Sequence, residues 1–82
     1  MTKAEIILSA ARPRSYWTEE ELVVASWKLS NDAFGLDGFA AQFPDYNKVK
    51  SVLMGKKGLV AQKKIRKKRE GGRTYYFLLG EK

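Results

Sequence analysis

Apolar positions recur with helical spacing in three parts of this chain and with strand spacing near its end. The first helical pattern opens at Thr2-Lys3-Ala4-Glu5, a capping box in which the threonine hydroxyl accepts a backbone N–H while the glutamate reaches back. It predicts a helix over 3–11, with Ile6, Ile7, Ala10 and Ala11 on one face and Arg12-Pro13 ending it. Ser15-Tyr16-Trp17 reads as a short extended stretch. Thr18-Glu19-Glu20-Glu21 is a second capping box, whose three carboxylates suit the positive end of a helix dipole. Capping accounts for this triplet better than a metal or acid–base cluster does. The helix it opens covers 19–29 and buries Leu22, Val23, Ala25, Trp27 and Leu29 unevenly, with Ser30-Asn31-Asp32 closing it.

Residues 31–44, NDAFGLDGFAAQFP, are irregular but carry Phe34, Leu36, Phe39 and Phe43, too apolar for a solvated loop. They are expected to fold back over the core, with a helical turn opened by Asp37. Asp45 then caps the third helix. Val49, Val52, Leu53, Lys56, Leu59 and Val60 fall at i, i+3, i+4, i+7, i+10 and i+11, a stripe that keeps its phase past Gly55 and Gly58. The pattern predicts one helix over 46–62. The alternative is a helix that stops near Gly55 or Gly58 with a glycine as its C-terminal cap. Opposite the stripe lie Asn47, Ser51, Met54 and Gly58, flanked by Lys50, Gly55, Ala61 and Gln62, a face free of bulk that suits close approach to a groove.

The last segment, KKIRKKREGGRTYYFLLG, predicts a hairpin over 63–79. Gly71-Gly72 suits a two-residue turn with positive φ at both positions, which pairs Ile65 with Leu78, Lys67 with Tyr76 and Arg69 with Thr74. The second strand then packs inward while the first presents its charges. A loop one residue longer or shorter would turn Tyr75 and Phe77 inward instead, so the pattern leaves open which aromatics are buried.

Composition changes the picture in two ways. With 82 residues, 44 % of them hydrophobic, and no cysteine or histidine, the chain is expected to form a single domain over 1–82 held by apolar packing alone. No thiolate or imidazole metal site is available, no cofactor motif is present, and Gly55-Lys56-Lys57-Gly58 matches neither the Walker nor the dinucleotide spacing. The second change is charge. Residues 1–45 hold four Lys/Arg against seven Asp/Glu, a net of −3, whereas residues 46–82 hold twelve against two, a net of +10. Such asymmetry marks a surface that meets phosphate or acidic lipid, the alternative being a solvated Lys-rich face that serves solubility. The apolar runs are too short to span a bilayer, and the expectation is a cytoplasmic protein with no membrane partner.

The stripe V49-x-x-V52-L53 running on to L59-V60, the strand start at Ile65 and the REGGRTYYFLL tip, preceded by two helices and a short extended stretch, resemble the winged helix-turn-helix domains. The resemblance covers nearly the whole chain. It implies an α+β fold with a three-helix core and a C-terminal two-stranded β-hairpin wing. The implied function is binding of double-stranded DNA, in transcription regulation or another DNA-associated process, with the third helix in the major groove and the wing on the backbone or minor groove. Asn47, Lys50, Ser51 and Met54 are then the candidates for base edges, since Asn pairs with adenine and Met meets a thymine methyl. Gly58 would sit on the same face. Lys48, Lys56, Lys57 and the wing cations Arg66, Lys67, Lys68, Arg69 and Arg73 are candidates for phosphates. Tyr46 either stacks on a sugar or covers the core, and Arg12-Pro13-Arg14 either touches phosphate or serves as a linker. The departure from the family pattern is the long aromatic connection between helices two and three. An adaptor for RNA or protein is the alternative; single-strand readers need exposed aromatics on a sheet, a feature not expected of a two-stranded hairpin. Catalysis is not expected without His or Cys. The pattern leaves a protein partner or homodimer undetermined.

Overall fold

The computed structural model describes residues 2–79. Both capping boxes form. Thr2 accepts the Glu5 N–H at 3.1 Å and Thr18 accepts the Glu21 N–H at 3.2 Å, while each glutamate accepts the N–H of its threonine. They open α1 (Lys3–Ala11) and α2 (Glu19–Leu29), at the expected positions. Leu8 joins Ile6, Ile7 and Ala11 in the core, whereas Leu29 is half exposed at the end of α2, its expected burial taken instead by Ser26.

The connection after α2 differs from expectation. Ser30 ends α2 and also caps a four-residue helix, α3 (Asn31–Phe34), by accepting the Ala33 N–H. The helical turn therefore opens at Ser30 and not at Asp37. Of the four apolar residues expected over the core, only Phe34 is buried; Leu36, Phe39 and Phe43 remain exposed. The segment is held by its backbone. Leu36 donates to the Phe43 carbonyl at 2.9 Å and Asp45 to the Phe34 carbonyl at 2.7 Å, and the Trp27 indole donates to the Ala40 carbonyl at 2.7 Å. Loop closure by polar groups removes the need to bury the phenylalanines.

Asp45 caps the next helix by accepting the Asn47 N–H, but α4 (Tyr46–Met54) spans nine residues and does not run to residue 62. At Gly55 the backbone leaves the helix with φ −64° and ψ 169°, so this glycine ends the helix without a left-handed cap. The chain then folds back on the helix end. Leu59 and Val60 donate to the Val52 and Leu53 carbonyls at 3.1 and 3.0 Å, satisfying acceptors that the helix terminus leaves open. Gly58 makes this return possible. A Cβ there would lie 2.5 Å from the Val52 oxygen and 2.7 Å from the Leu53 oxygen. The apolar stripe holds its phase because Leu59 and Val60 reach the core through a turn, with Leu59 fully buried.

The sheet has three strands. β2 (Ile65–Glu70) and β3 (Arg73–Leu78) form the expected hairpin in the expected register, and Gly71 and Gly72 have φ of 58° and 79°. β1 (Tyr16–Thr18) pairs antiparallel with β3, placing Tyr16 opposite Phe77 and Trp17 opposite Tyr76, so the strand order is β1-β3-β2. The molecule is thus a small α+β domain of four helices and a three-stranded antiparallel sheet among the described residues. Ile7, Leu22, Phe34, Val49, Leu53, Leu59, Ile65 and Tyr76 form the centre of the core. Among the described residues, no helix is long and apolar enough to cross a membrane.

Candidate nucleic-acid interface

Glu19, the first residue of α2, organises the junction between α4 and the sheet. It is only 7 % exposed. Its carboxylate accepts the Tyr76 hydroxyl from β3 at 2.7 Å and the Tyr46 hydroxyl from the first turn of α4. Burial pushes the Glu19 carboxyl up, but the two phenol bonds and the positive charges of Lys50 and Lys67 outweigh it, and the group lies below the usual glutamate range. Both phenols are raised in turn, Tyr46 to about 12, by burial first and by the bond to Glu19 second. Helix α4 and strand β3 thus each bring a phenol to one buried carboxylate.

The exposed side of α4 carries Asn47, Ser51 and Met54, with partly buried Lys50 between them. Their spacing of i, i+3, i+4 and i+7 puts all four on one face. The Lys50 ammonium lies 5.6 Å from the centre of the Tyr46 ring, which orients it along this face. Tyr46 does not cover the core as one expectation had it: its hydroxyl is tied to Glu19 while its ring stays partly exposed beside Lys50.

Other expected residues fall elsewhere. Lys48 donates to the Gly35 carbonyl and to Asp37, both at 2.8 Å, so its charge fastens the 35–45 loop. Lys56 and Lys57 are exposed on the turn after α4, but Gly58 is buried against the helix end and is not on the Asn47 face. Arg14 stands 3.9 Å over the Trp17 ring and 3.4 Å from Glu21, which is a packing role for the linker.

The hairpin separates its five cations by parity. Lys67 and Arg69 share the side of buried Ile65 and Tyr76, the side that faces Glu19. Arg66, Lys68 and Arg73 share the opposite side with Tyr75 and Phe77. Tyr16 of β1 completes that opposite face, its ring 5.8 Å from Phe77 and 6.2 Å from Tyr75. An aromatic sheet face that the sequence was not expected to provide is therefore present, with Tyr16 exposed and Tyr75 and Phe77 half-buried. Sequence reasoning missed it because it requires β1 to pair with β3, and missed Glu19 because its two partners lie 27 and 57 positions away. The alternation of outward Tyr16, inward Trp17 and outward Thr18 was the available signal. Compared with known proteins, the chain matched no family model, no curated protein and no solved structure.

Proposed function

We propose that this domain is a winged helix that binds double-stranded DNA, with α4 in the major groove and the inward-facing cations of the hairpin on the adjacent backbone. The observation that carries the reading is the Glu19 junction: Tyr46 of α4 and Tyr76 of β3, the strand paired with β2, both donate to the same carboxylate. The proposal takes the polar helix face and the Tyr76 side of the basic strand, tied through this one residue, as a single surface. Asn47, Ser51 and Met54 offer a hydrogen-bonding amide, a hydroxyl and an apolar tip toward base edges, and Lys50, Lys67 and Arg69 offer charge toward phosphates. The order helix, strand, three helices, hairpin also suits the proposal, with α3 and its loop lying where a tight turn is usual. Gly55 and Gly58 shorten α4 without adding bulk beyond Met54, so its exposed face ends cleanly at a turn carrying Lys56 and Lys57.

The test is anisotropy titration of a labelled mixed-sequence duplex at several salt concentrations. About four to five phosphate contacts predict a slope of log K on log salt of roughly −4. A slope near zero, or no binding at low salt, refutes the proposal.

A further inference from the structure

The outer face of the sheet has a chemistry that the duplex reading does not use. Tyr16, Tyr75 and Phe77 stand together on it, Tyr16 and Phe77 stacked at 27° between ring planes. Tyr16 is 50 % exposed, and its neighbours are half-buried. The core does not require these rings, because the same strands send Trp17, Ile65, Tyr76 and Leu78 inward. With Glu70 they line an open hollow of about 260 Å³. In register beside them along β2, Arg66 is opposite Phe77 and Lys68 opposite Tyr75. Lys68 also lies 3.8 Å from Glu70, which offsets that carboxylate. Flat apolar rings in the middle are thus bordered along one edge by exposed cations.

We propose that this face binds single-stranded DNA, with unpaired bases stacked on Tyr16 and the Tyr75–Phe77 edge and the phosphates running along Arg66 and Lys68. Stacking on aromatic rings needs a base whose face is free, which an intact duplex does not present, and the row of cations selects a polyanion over an apolar peptide. The choice of DNA rests on the duplex reading. Lys67 and Arg69 point to the other side of the same two-stranded ribbon, so a strand leaving a bound duplex would reach the aromatic face around it. The domain then holds a junction between paired and unpaired DNA, with the duplex on one side of the hairpin and the free strand on the other.

The experiment is anisotropy titration of a labelled oligothymidylate at low salt with the wild-type protein, Tyr16→Ala and Phe77→Leu, each variant checked by circular dichroism and thermal melting. Tyr16→Ala is expected to weaken oligothymidylate binding about tenfold and Phe77→Leu several-fold, with duplex affinity unchanged. An abasic strand of the same length should bind the wild-type protein at least tenfold more weakly than oligothymidylate and be indifferent to Tyr16→Ala. Tyr16 is exposed enough that its variant keeps the test valid if Phe77→Leu does not fold. The proposal is overturned if the wild-type protein does not bind oligothymidylate, if the abasic strand binds equally well, or if both aromatic variants bind like wild type. It is also overturned if oligouridylate binds more tightly than oligothymidylate, or if sedimentation shows a homodimer that Tyr16→Ala dissociates. Loss of oligothymidylate binding in the aromatic variants, alongside a duplex affinity indifferent to Lys67→Ala and Arg69→Ala, would uphold this face while refuting the duplex surface.

Discussion

Replacing Glu19 by alanine tests the junction that joins α4 to the sheet. The substitution removes the shared acceptor of two phenols. Tyr76 is 1 % exposed, so its hydroxyl would be left buried without a partner, whereas Tyr46 is 38 % exposed and can turn its hydroxyl to water. A hydrogen bond to a charged group contributes about 1.5–3 kcal/mol, and an orphaned buried hydroxyl costs about 1–3 kcal/mol. Counting the Tyr76 bond fully and the Tyr46 bond weakly gives a loss of about 2–4 kcal/mol. That is a large share of the roughly 4–12 kcal/mol expected for a domain of this size. Urea unfolding followed by tryptophan fluorescence measures it. Glu19→Ala in a Tyr76→Phe background should cost about half as much, since the buried donor is already gone. Glu19→Gln should be milder, because an amide can accept one phenol and donate to the oxygen of the other. The folded-state pKa of Glu19 lies below its unfolded value, so its contribution is fully present above the unfolded value and is lost as pH falls through the folded one. Glu5 and Glu21, held low chiefly by bonds from the Thr2 and Thr18 backbone, add acid sensitivity of the same sign. The difference between wild type and Glu19→Gln isolates the Glu19 part, and it should shrink in acid. A loss below about 1 kcal/mol for Glu19→Ala, or a difference that grows in acid, would refute the junction.

Gly58→Ala should destabilise by about 1–3 kcal/mol in thermal melts, because its Cβ meets backbone oxygens of Val52 and Leu53; a stabilised variant would mean that α4 continues as a helix. Ser26→Ala should raise stability by about 1 kcal/mol in urea unfolding, since the Ser26 hydroxyl is fully buried and finds no partner among the described residues. Lys67→Ala and Arg69→Ala should each make the salt slope of duplex binding shallower by about one, and Asn47→Ala should cost about 1–3 kcal/mol on a preferred site only, both read by anisotropy titration.

Local chemistry made several elements legible. Thr2 with Glu5, Thr18 with Glu21, and Asp45 place three helix starts because a cap needs only side chains a few residues from the N–H groups they satisfy. Gly71-Gly72 likewise sets the hairpin register, since a two-residue turn fixes every pair that follows it. The apolar stripe from Val49 to Val60 identified the buried positions but not the backbone that delivers them. A turn that folds Leu59 back onto the Val52 carbonyl satisfies the helical period as well as a helix does. The basic charge of the hairpin was visible as one outward array, and its division into two faces was fixed only by the register that the structure adopts. What occupied those faces depended on contacts between residues far apart in the chain. Pairing of β1 with β3 brings Tyr16 to Phe77, and packing of α2 beneath the sheet brings Glu19 to Tyr76, 57 positions away. Caps and turns act within a few residues and can be read from order alone; an acceptor shared by two helices and a sheet exists only once the core has closed around it.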